Sequence, residues 1–318
     1  MKPLVASAAR SIPAAPPTSV PGRASVVFGT PPPVVGVPCC VAMPQCYLDR
    51  VSRSSGSQEQ GLVPRTRRTF ELVKVLAPRE LRVRYRQSVL DIAWALISPV
   101  AILVVYGLVL TQSFDVEGTC GPYLSSAWIG LVLWTFVATA IGTATVSLIS
   151  SAGLITKVYF PREALPLAMV GAALADLAIG LLTVFVLLPL QGVDLGWPTL
   201  SIVLPLALVI IWAAAVSVFA GVLAAFIRDV PHAVSLALRV GFFATPVMYE
   251  QSFTPPALAW TASVNPLAVA IDAFRQATMC GQWPDVPLLI VHLVVGTLLL
   301  GLAIAYTRSV EARVTDVV

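Results

Sequence analysis

Charged side chains are scarce in this sequence of 318 residues. Asp, Glu, Lys and Arg make up 11% of the chain, whereas about 25% is typical of soluble domains. Hydrophobic residues reach 57%, and 20 basic and 16 acidic side chains are too few to cover the surface of a soluble protein of this length. The composition therefore predicts an integral membrane protein. It excludes a soluble enzyme, a nucleic-acid-binding protein and a disordered scaffold for the chain as a whole.

The sequence also lacks the motifs of catalysis and metal binding. Its two histidines are far apart, and its five cysteines show no C-x-x-C spacing, so we expect no metal site. None of its three lysines follows the glycines of a phosphate-binding loop, and no Ser-His-Asp set is visible. We therefore expect no catalytic residues and no cofactor bound by this chain. An ATP-driven role would need a separate partner subunit that holds ATP and Mg²⁺.

Residues 1–62 differ in composition from the rest of the chain. They are rich in Pro, Ser, Ala and Val, and prolines interrupt the apolar run that a signal peptide would need. We expect a disordered N-terminal extension, or a start codon placed too far upstream. Residues 63–318 are expected to form the membrane domain.

Long apolar runs in the second block predict an all-α membrane protein with six transmembrane helices. A helix needs about 20 residues to cross about 30 Å of hydrocarbon. Suitable runs lie at residues 91–110, 124–146, 165–190, 201–226, 230–249 and 286–307. Two charges, Asp176 and Arg239, fall well inside these runs.

The distribution of cations gives the predicted orientation, because cytoplasmic loops gather Lys and Arg. In a six-span arrangement, 13 loop and terminal cations from Arg65 onward fall on one side, and only Arg275 falls on the other. Both termini are therefore expected in the cytoplasm. Cys120 and Cys280 both fall on the outer side of the membrane in this arrangement, so a disulfide between them is possible.

The outer loop between spans five and six contains two apolar stretches that are too short to cross a membrane. They lie at residues 257–264 and 267–279, and prolines bound them. Such segments are typical of re-entrant or interfacial half-helices.

The segment before the first span has an amphipathic helical pattern. At 100° per residue it shows one basic stripe and one apolar stripe. The stripes consist of Arg79, Arg82 and Arg86, and of Ala77, Leu81 and Tyr85. The pattern predicts a helix in the membrane interface, with its arginines toward anionic headgroups and Pro78 in its first turn. A contact of these arginines with a partner protein or an anionic substrate is the alternative.

The loop between spans two and three combines aromatic and charged side chains. It reads Lys157, Val158, Tyr159, Phe160, Pro161, Arg162 and Glu163. We expect the apolar side chains at 158–160 to be exposed, which suggests docking to another protein. An aromatic belt at the membrane interface is the alternative.

These segments together resemble the ABC-2 type permease family, in particular its polysaccharide-exporting branch. The matching segments are residues 82–90, 94–99, 157–166, 228–230, 245–249, 265–266 and 273–275. The resemblance covers about residues 68 to 310 in order. The first sixty residues have no counterpart, and Arg239 stands where an uncharged residue is expected.

The resemblance implies half of a transporter in the bacterial cytoplasmic membrane. Such permeases form homodimers, bind two copies of an ABC ATPase subunit and export lipid-linked glycans such as O-antigen, capsule, teichoic acid or galactan. Residues Lys157 to Glu163 would form the loop that couples to the ATPase. The arm around Arg79 to Arg86 would be the interface helix, and the half-helices would close the outer end of the path.

Several membrane-embedded residues are candidates for lining the translocation path. Arg239 would face the path and meet a phosphate or pyrophosphate, snorkel to the surface, or pair with Asp176. Aromatic faces could stack on sugars or simply pack the helices. The candidates are Trp94, Tyr106, Phe242 and Tyr249.

Two rival functions share the predicted topology. One is an ABC-2 permease that exports a drug, an antibiotic or a lipid. The other is a membrane-embedded glycosyl- or acyltransferase, which would need clustered carboxylates or a His-Asp pair at the membrane face. The sequence shows no such cluster, and the interface-arm and loop motifs favour glycan export.

Overall fold

The structure of the chain is a computed structural model that describes residues 65–85, 101, 105, 120–155, 160–249 and 261–317. The described residues form helices and short connections. The helices are α1 (Arg65–Tyr85), α2 (Tyr123–Ser150), α3 (Ala152–Ile155), α4 (Ala164–Leu190), α5 (Val203–Phe226), α6 (Val230–Ala244), α7 (Thr261–Val264), α8 (Pro266–Thr278) and α9 (Val286–Val317). A 3-10 helix, Trp197–Ile202, leads directly into α5. The predicted all-α class is confirmed for this part of the chain.

Four helical segments in the described part are long and apolar enough to cross a membrane. They are Tyr123–Ser150, Ala164–Leu190, Trp197–Phe226 and Val286–Glu311. Each has at least 26 residues, which corresponds to about 39 Å of α-helix. They match four of the six predicted spans to within a few residues. Of the predicted first span, 91–110, only residues 101 and 105 are described, and the extension 1–62 lies outside the described residues.

Helix α2 is the centre of the packing. Its buried residues extend from Tyr123 to Leu148 over nearly its whole length. Trp128, Leu133 and Phe136 on α2 belong to a core cluster that also includes Phe274 on α8. Helices α4 and α5 pack directly on α2, and α9 packs on α5. The surrounding helices are therefore held through α2 and α5.

The outward faces of α4 and α9 are apolar. Leu182 on α4 is 65% exposed, and Leu298 on α9 is 68% exposed. Contiguous exposed apolar faces of this kind are not tolerated by soluble proteins but suit contact with lipid chains. The structure thus describes a multi-pass membrane protein.

One end of the helix bundle, which we call the Glu163 end, contains α1 and residues 160–163. The side chains of Leu148 on α2, Val222 on α5 and Val310 on α9 form a small apolar cluster there with Phe160. This cluster is separate from the main core. The C-terminal parts of three long helices therefore meet at this end.

The opposite end, which we call the Arg275 end, contains α8 and residues 245–249. Ser125 at the start of α2 hydrogen-bonds to Gln191 after α4, at 2.7 Å. The Thr199 hydroxyl, just before α5, donates to the carbonyl of Ala277 in α8, at 3.3 Å. Helices α2, α4 and α5 therefore alternate in direction along the chain.

A disulfide bond between Cys120 and Cys280 joins the segment before α2 to the segment after α8 at the Arg275 end. The two Cα atoms are 4.8 Å apart, and the cysteines are 160 positions apart in sequence. The disulfide that the predicted topology allowed is thus present. A crosslink that closes so long a loop restricts the unfolded chain strongly.

Helix α6 is shorter than the predicted fifth span. It ends at Ala244 after 15 residues, about 22 Å, whereas the prediction continued to Tyr249. Pro246 explains the difference, because proline disfavours the helical conformation of the residue before it. Thr245 is extended, with φ −97° and ψ 139°. The prediction of a continuous helix over 230–249 is therefore wrong after Ala244.

The described residues include the whole of one predicted outer half-helix and only part of the other. The second is present as α8, a helix of 13 residues that begins after Asn265. The Asn265 side chain caps it by accepting a hydrogen bond from the Leu267 amide, at 3.0 Å. Of the first, the described part contains only the four-residue helix α7.

Helix α1 already includes Arg65, which lies 13 residues before Pro78. Pro78 lies inside it, so the prediction that Pro78 occupies the first turn is wrong. Ala77 is buried against α4, where a Cβ atom added to Gly171 would lie 3.1 Å from that of Ala77. The small Gly171 thus allows α1 to approach α4 closely.

Candidate functional site

The described part of the predicted coupling loop is buried. Phe160 is 6% exposed, and Pro161, Arg162 and Glu163 are buried as well. The prediction that Phe160 is exposed for docking is therefore wrong. Its ring packs in the apolar cluster of the Glu163 end and lies 5.1 Å from the Arg162 guanidinium carbon. Lys157, Val158 and Tyr159 lie outside the described residues.

Glu163 is the centre of a charged cluster. Its side chain is 1% exposed, and a buried carboxylate is stable only when it is paired. Its Oε1 accepts a hydrogen bond from Nε of Arg308 on α9, at 2.9 Å. The same oxygen lies 3.4 Å from the Thr69 hydroxyl and 3.8 Å from Nε of Arg65, both on α1. One carboxylate therefore joins three elements.

Arg65 connects this cluster to a second carboxylate. Its guanidinium hydrogen-bonds to Oε2 of Glu311 on α9. Arg65 thus pairs with both acids, Glu163 and Glu311, whereas Arg308 pairs with Glu163. These pairs connect α1, the start of α4 and the end of α9. Sequence reasoning placed Glu163 in the coupling loop but missed its partners, since residues so far apart in sequence give no local pattern.

The face of α1 away from α4 carries the predicted basic stripe. Arg79 and Arg82 are exposed, whereas Ala77 is buried. The predicted division of α1 into a basic and an apolar face therefore agrees with the structure at these positions. Tyr85 is the last residue of α1, and Arg86 lies outside the described residues.

Arg275 organises the opposite end. It is 5% exposed, and its guanidinium donates hydrogen bonds to the carbonyls of Pro246, Val247 and Tyr249, at 2.7 to 3.1 Å. Its Nε also donates to the carbonyl of Ser126 in α2, at 3.1 Å. One side chain of α8 thus holds the segment after α6 against α2.

Further hydrogen bonds complete this arrangement. The Tyr123 hydroxyl donates to the carbonyl of Met248, at 2.5 Å. The Asn265 amide donates to the hydroxyl of Thr245, at 2.9 Å. The carbonyls of residues 246–249, which no longer belong to a helix, are therefore each bonded by a side chain of α2 or α8.

Gly130 allows this segment to approach α2. A Cβ atom at Gly130 would lie 2.1 Å from the Val247 carbonyl oxygen and 2.8 Å from Nη2 of Arg275. Real side chains do not tolerate such distances. Only glycine fits at this position unless the segment moves away.

The candidate path residues that the structure describes lie on or next to α6. Arg239 is exposed, on the same side as His232 and Phe243, which are also exposed. Phe242 packs edge-on against Trp134 of α2, with 5.8 Å between ring centroids. The Tyr249 hydroxyl donates to the carbonyl of Phe243, at 3.1 Å. Trp94 and Tyr106 lie outside the described residues.

The alternative in which Arg239 pairs with Asp176 is not formed. Arg239 has no ion-pair partner among the described residues, and Asp176 is half-buried on α4. Helix α6 packs on α2 and α5 instead. Arg239 therefore remains as an exposed cation on a helix that is otherwise largely apolar.

Neither end carries a metal centre in the part of the chain that is described. No group of three His, Cys, Asp or Glu side chains in residues 65–85, 120–155, 160–249 and 261–317 is close enough to hold an ion. The acids at the Glu163 end bind arginines.

The fold and these two ends define a multi-pass helical membrane protein, with a buried ion cluster at one end and a tightly bonded cap at the other. The chain belongs to the ABC-2 type transporter family, whose pattern matches residues 71–279. Membership makes it a membrane subunit of a transporter. The resemblance seen in the sequence is thereby confirmed.

Three curated relatives are similar to this chain and share one name. The chain is 30% identical over 240 residues to an O-antigen export system permease protein RfbA of Myxococcus xanthus, over 74% of this chain and 90% of that protein. It is 28% identical over 216 residues to the protein of the same name in Klebsiella pneumoniae, over 67% of this chain and 82% of that protein. A second Klebsiella pneumoniae protein of that name is 26% identical over the same shares.

Replacing Gly130 with Ala tests the close approach at the Arg275 end. We expect Gly130→Ala to destabilise the purified protein by about 1–3 kcal/mol, because the added methyl group displaces the segment that Arg275 holds. Gly142→Ala is the matched control on the same helix, since nothing lies within 4 Å of its Cβ position. It should be neutral or stabilising by up to about 1 kcal/mol. Equal unfolding temperatures for the two variants would contradict this geometry.

Proposed function

We propose that the chain is the permease subunit of an ATP-driven transporter that exports a lipid-linked polysaccharide across the bacterial cytoplasmic membrane. The observation that carries the proposal is membership of the ABC-2 type transporter family together with relatives that are O-antigen export permeases. The exposed arginine on α6 suits a substrate whose lipid carrier is attached through phosphate or pyrophosphate.

The energy for export is proposed to come from a separate subunit. The sequence has no phosphate-binding loop of the G-x-x-x-x-G-K-[ST] type. In our proposal a homodimer of this chain binds two copies of an ABC ATPase, which hold ATP and Mg²⁺. Their closure would push the coupling loops and move the two permease halves against each other, opening a path that is accessible to lipid.

We propose six transmembrane spans with both termini in the cytoplasm. Ion pairs between α1 and the end of α9 support an even number of crossings, since they bring the two ends of the described chain together. Helix α1 lies at the Glu163 end and Cys120 at the Arg275 end, as a span over 91–110 requires. Helix α6 with residues 245–249 would supply the fifth span. The cations cluster at the Glu163 end, which is typical of a cytoplasmic side.

Helix α8 is proposed to be a re-entrant half-helix that closes the outer end of the path. With 13 residues it is too short to cross a membrane, and most of its side chains are buried against α2, α5 and the 3-10 helix. Non-helical backbone at membrane depth is tolerated only where the protein satisfies it. The hydrogen bonds from Arg275, Tyr123 and Asn265 meet this requirement.

The coupling loop is proposed to have two parts. Residues 160–163 are the anchored part, because Phe160 and Glu163 are buried within this chain. Lys157, Val158 and Tyr159 would form the part that contacts the ATPase. The basic face of α1, with Arg79 and Arg82, would lie beside it at the membrane surface.

Export can be tested in the native host by deleting the gene. We expect surface polysaccharide to disappear and its lipid-linked precursor to accumulate inside the cell, with both reversed by the wild-type gene. A transferase would instead leave no polymer to accumulate. Unchanged surface polysaccharide with raised sensitivity to a drug would favour the drug-exporting branch and overturn the proposal.

Single substitutions should separate the two parts of the coupling loop. We expect Tyr159→Ala to lose the ATPase on co-purification without changing the unfolding temperature. Phe160→Ala should lower that temperature, since truncating a buried phenylalanine costs about 3–5 kcal/mol. Leu182→Ala, which alters an exposed face of α4, is the control and should change neither. Retention of the ATPase by Tyr159→Ala would contradict the assignment.

Substitution of Arg239 tests the path. Because a hydrogen bond to a charged group contributes about 1.5–3 kcal/mol, we expect Arg239→Gln to reduce export roughly tenfold or more when substrate is limiting. Arg239→Lys keeps the charge and should retain most of the export. The measurement is surface polysaccharide in the deletion strain. Wild-type export by Arg239→Gln would favour snorkelling to the membrane surface.

A further inference from the structure

The ion cluster at the Glu163 end involves a helix that the proposed coupling does not use. The loop that would meet the ATPase continues into α4, yet the carboxylate at its end is bonded to α9. Oε1 of Glu163 accepts from Arg308 at 2.9 Å, the shortest of its three contacts. A side-chain contact therefore links the end of this loop to α9, in addition to its direct continuation into α4.

The backbone around Glu163 is held by hydrogen bonds. The Ala164 amide donates to the Pro161 carbonyl at 3.0 Å, and the Leu167 amide donates to the Glu163 carbonyl at 3.3 Å. Residues 161–167 thus form one hydrogen-bonded turn that opens α4. Since Phe160 directly precedes this turn, a displacement of the loop carries the Glu163 carboxylate with it.

Helix α9 is held at this point by both charge and apolar contact. Arg308 binds Glu163, Glu311 binds Arg65, and Val310 packs in the same cluster as Phe160. These residues, at positions 308 to 311, lie within one turn of α9. Sliding of α9 past the loop would break these contacts.

Helix α9 continues from this contact to the other end of the molecule. It is a single helix of 32 residues, about 48 Å long, and it starts six residues after Cys280 of the disulfide. It also packs along α5. One continuous helix therefore connects the Glu163 end to the Arg275 end.

We propose that Glu163 is a positioning residue that transmits the movement of the coupling loop to α9 through Arg308, with the Arg65–Glu311 pair holding α1 in the same unit. This inference rests on the proposed function, because it concerns how ATP hydrolysis by the partner drives export. Loss of the contact leaves the loop able to bind the ATPase, but its displacement no longer reaches α9.

The test compares export with ATP hydrolysis for the complete permease–ATPase complex. Glu163→Gln, Arg308→Gln and the double variant are purified with the ATPase, and hydrolysis is measured. Export is measured as surface polysaccharide in the deletion strain. We expect ATPase binding and hydrolysis within about twofold of wild type, and at least a tenfold loss of export for the same hydrolysis. The double variant should lose no more export than Glu163→Gln alone, since each substitution removes the same contact between Glu163 and Arg308.

Glu71→Gln is the matched control. It breaks the exposed pair between Arg67 and Glu71 on α1, at 3.1 Å, and leaves the cluster intact. It should keep the wild-type ratio of export to hydrolysis. A loss of that ratio in Glu71→Gln as large as in Glu163→Gln would overturn the proposal, because any charge change at this end would then suffice.

A purely structural role predicts a different result. Export, hydrolysis and assembly would then fall together in Glu163→Gln and Arg308→Gln, and that outcome overturns the proposal. If Glu163→Gln does not assemble, Arg308→Gln decides, since Arg65 still pairs with Glu163 in that variant. A wild-type ratio in Arg308→Gln overturns it as well. Failure of the wild-type gene to restore surface polysaccharide would instead count against the proposed function.

Discussion

Backbone carbonyls that leave a helix inside a membrane protein must find hydrogen-bond donors within the protein, since lipid offers none. This constraint governs the Arg275 end. Pro246 ends α6 and exposes the carbonyls of the following residues, and the guanidinium of Arg275 meets three of them. Arginine suits this task because it presents five donors in a fixed plane and remains charged. The position of α8, the closeness of Gly130 and the path of the chain after α6 all depend on this side chain.

At the Glu163 end the buried group that needs partners is an acid instead of backbone carbonyls. There the buried group is a carboxylate, and the arginines come to it from α1 and α9. A buried ion pair contributes little net stability, but removal of one partner is costly. Such a cluster therefore specifies an arrangement more than it stabilises the fold. In this chain it fixes which elements lie together at the end of the bundle that contains residues 160–163.

Composition and the length of the apolar runs predicted the helical membrane class and four of the long helices, because an uninterrupted run of about 20 apolar residues is typical of a transmembrane helix. The basic and apolar faces of α1 were also predictable, since residues three and four apart share a face of a helix. The end of α6 at Ala244 differs from the prediction, because the apolar run continues past Pro246 although proline is a local signal for a helix end. The exposure of Phe160 was misjudged because burial in this loop depends on Val222 and Val310, which are distant in sequence.

The contacts that fix each end of the bundle are the least visible in the sequence. Glu163 and Arg308 are 145 positions apart, and Arg275 and Ser126 are 149 apart. No periodicity relates such residues, yet each pair fixes one end of the bundle. Between these ends Arg239 is exposed on α6, and the surrounding helices supply it with no acid in the described part of the chain. The buried charges at the two ends are paired or hydrogen-bonded and so serve the architecture. A cation with no acidic partner in the middle of a helix is instead available to an anionic group from outside the chain.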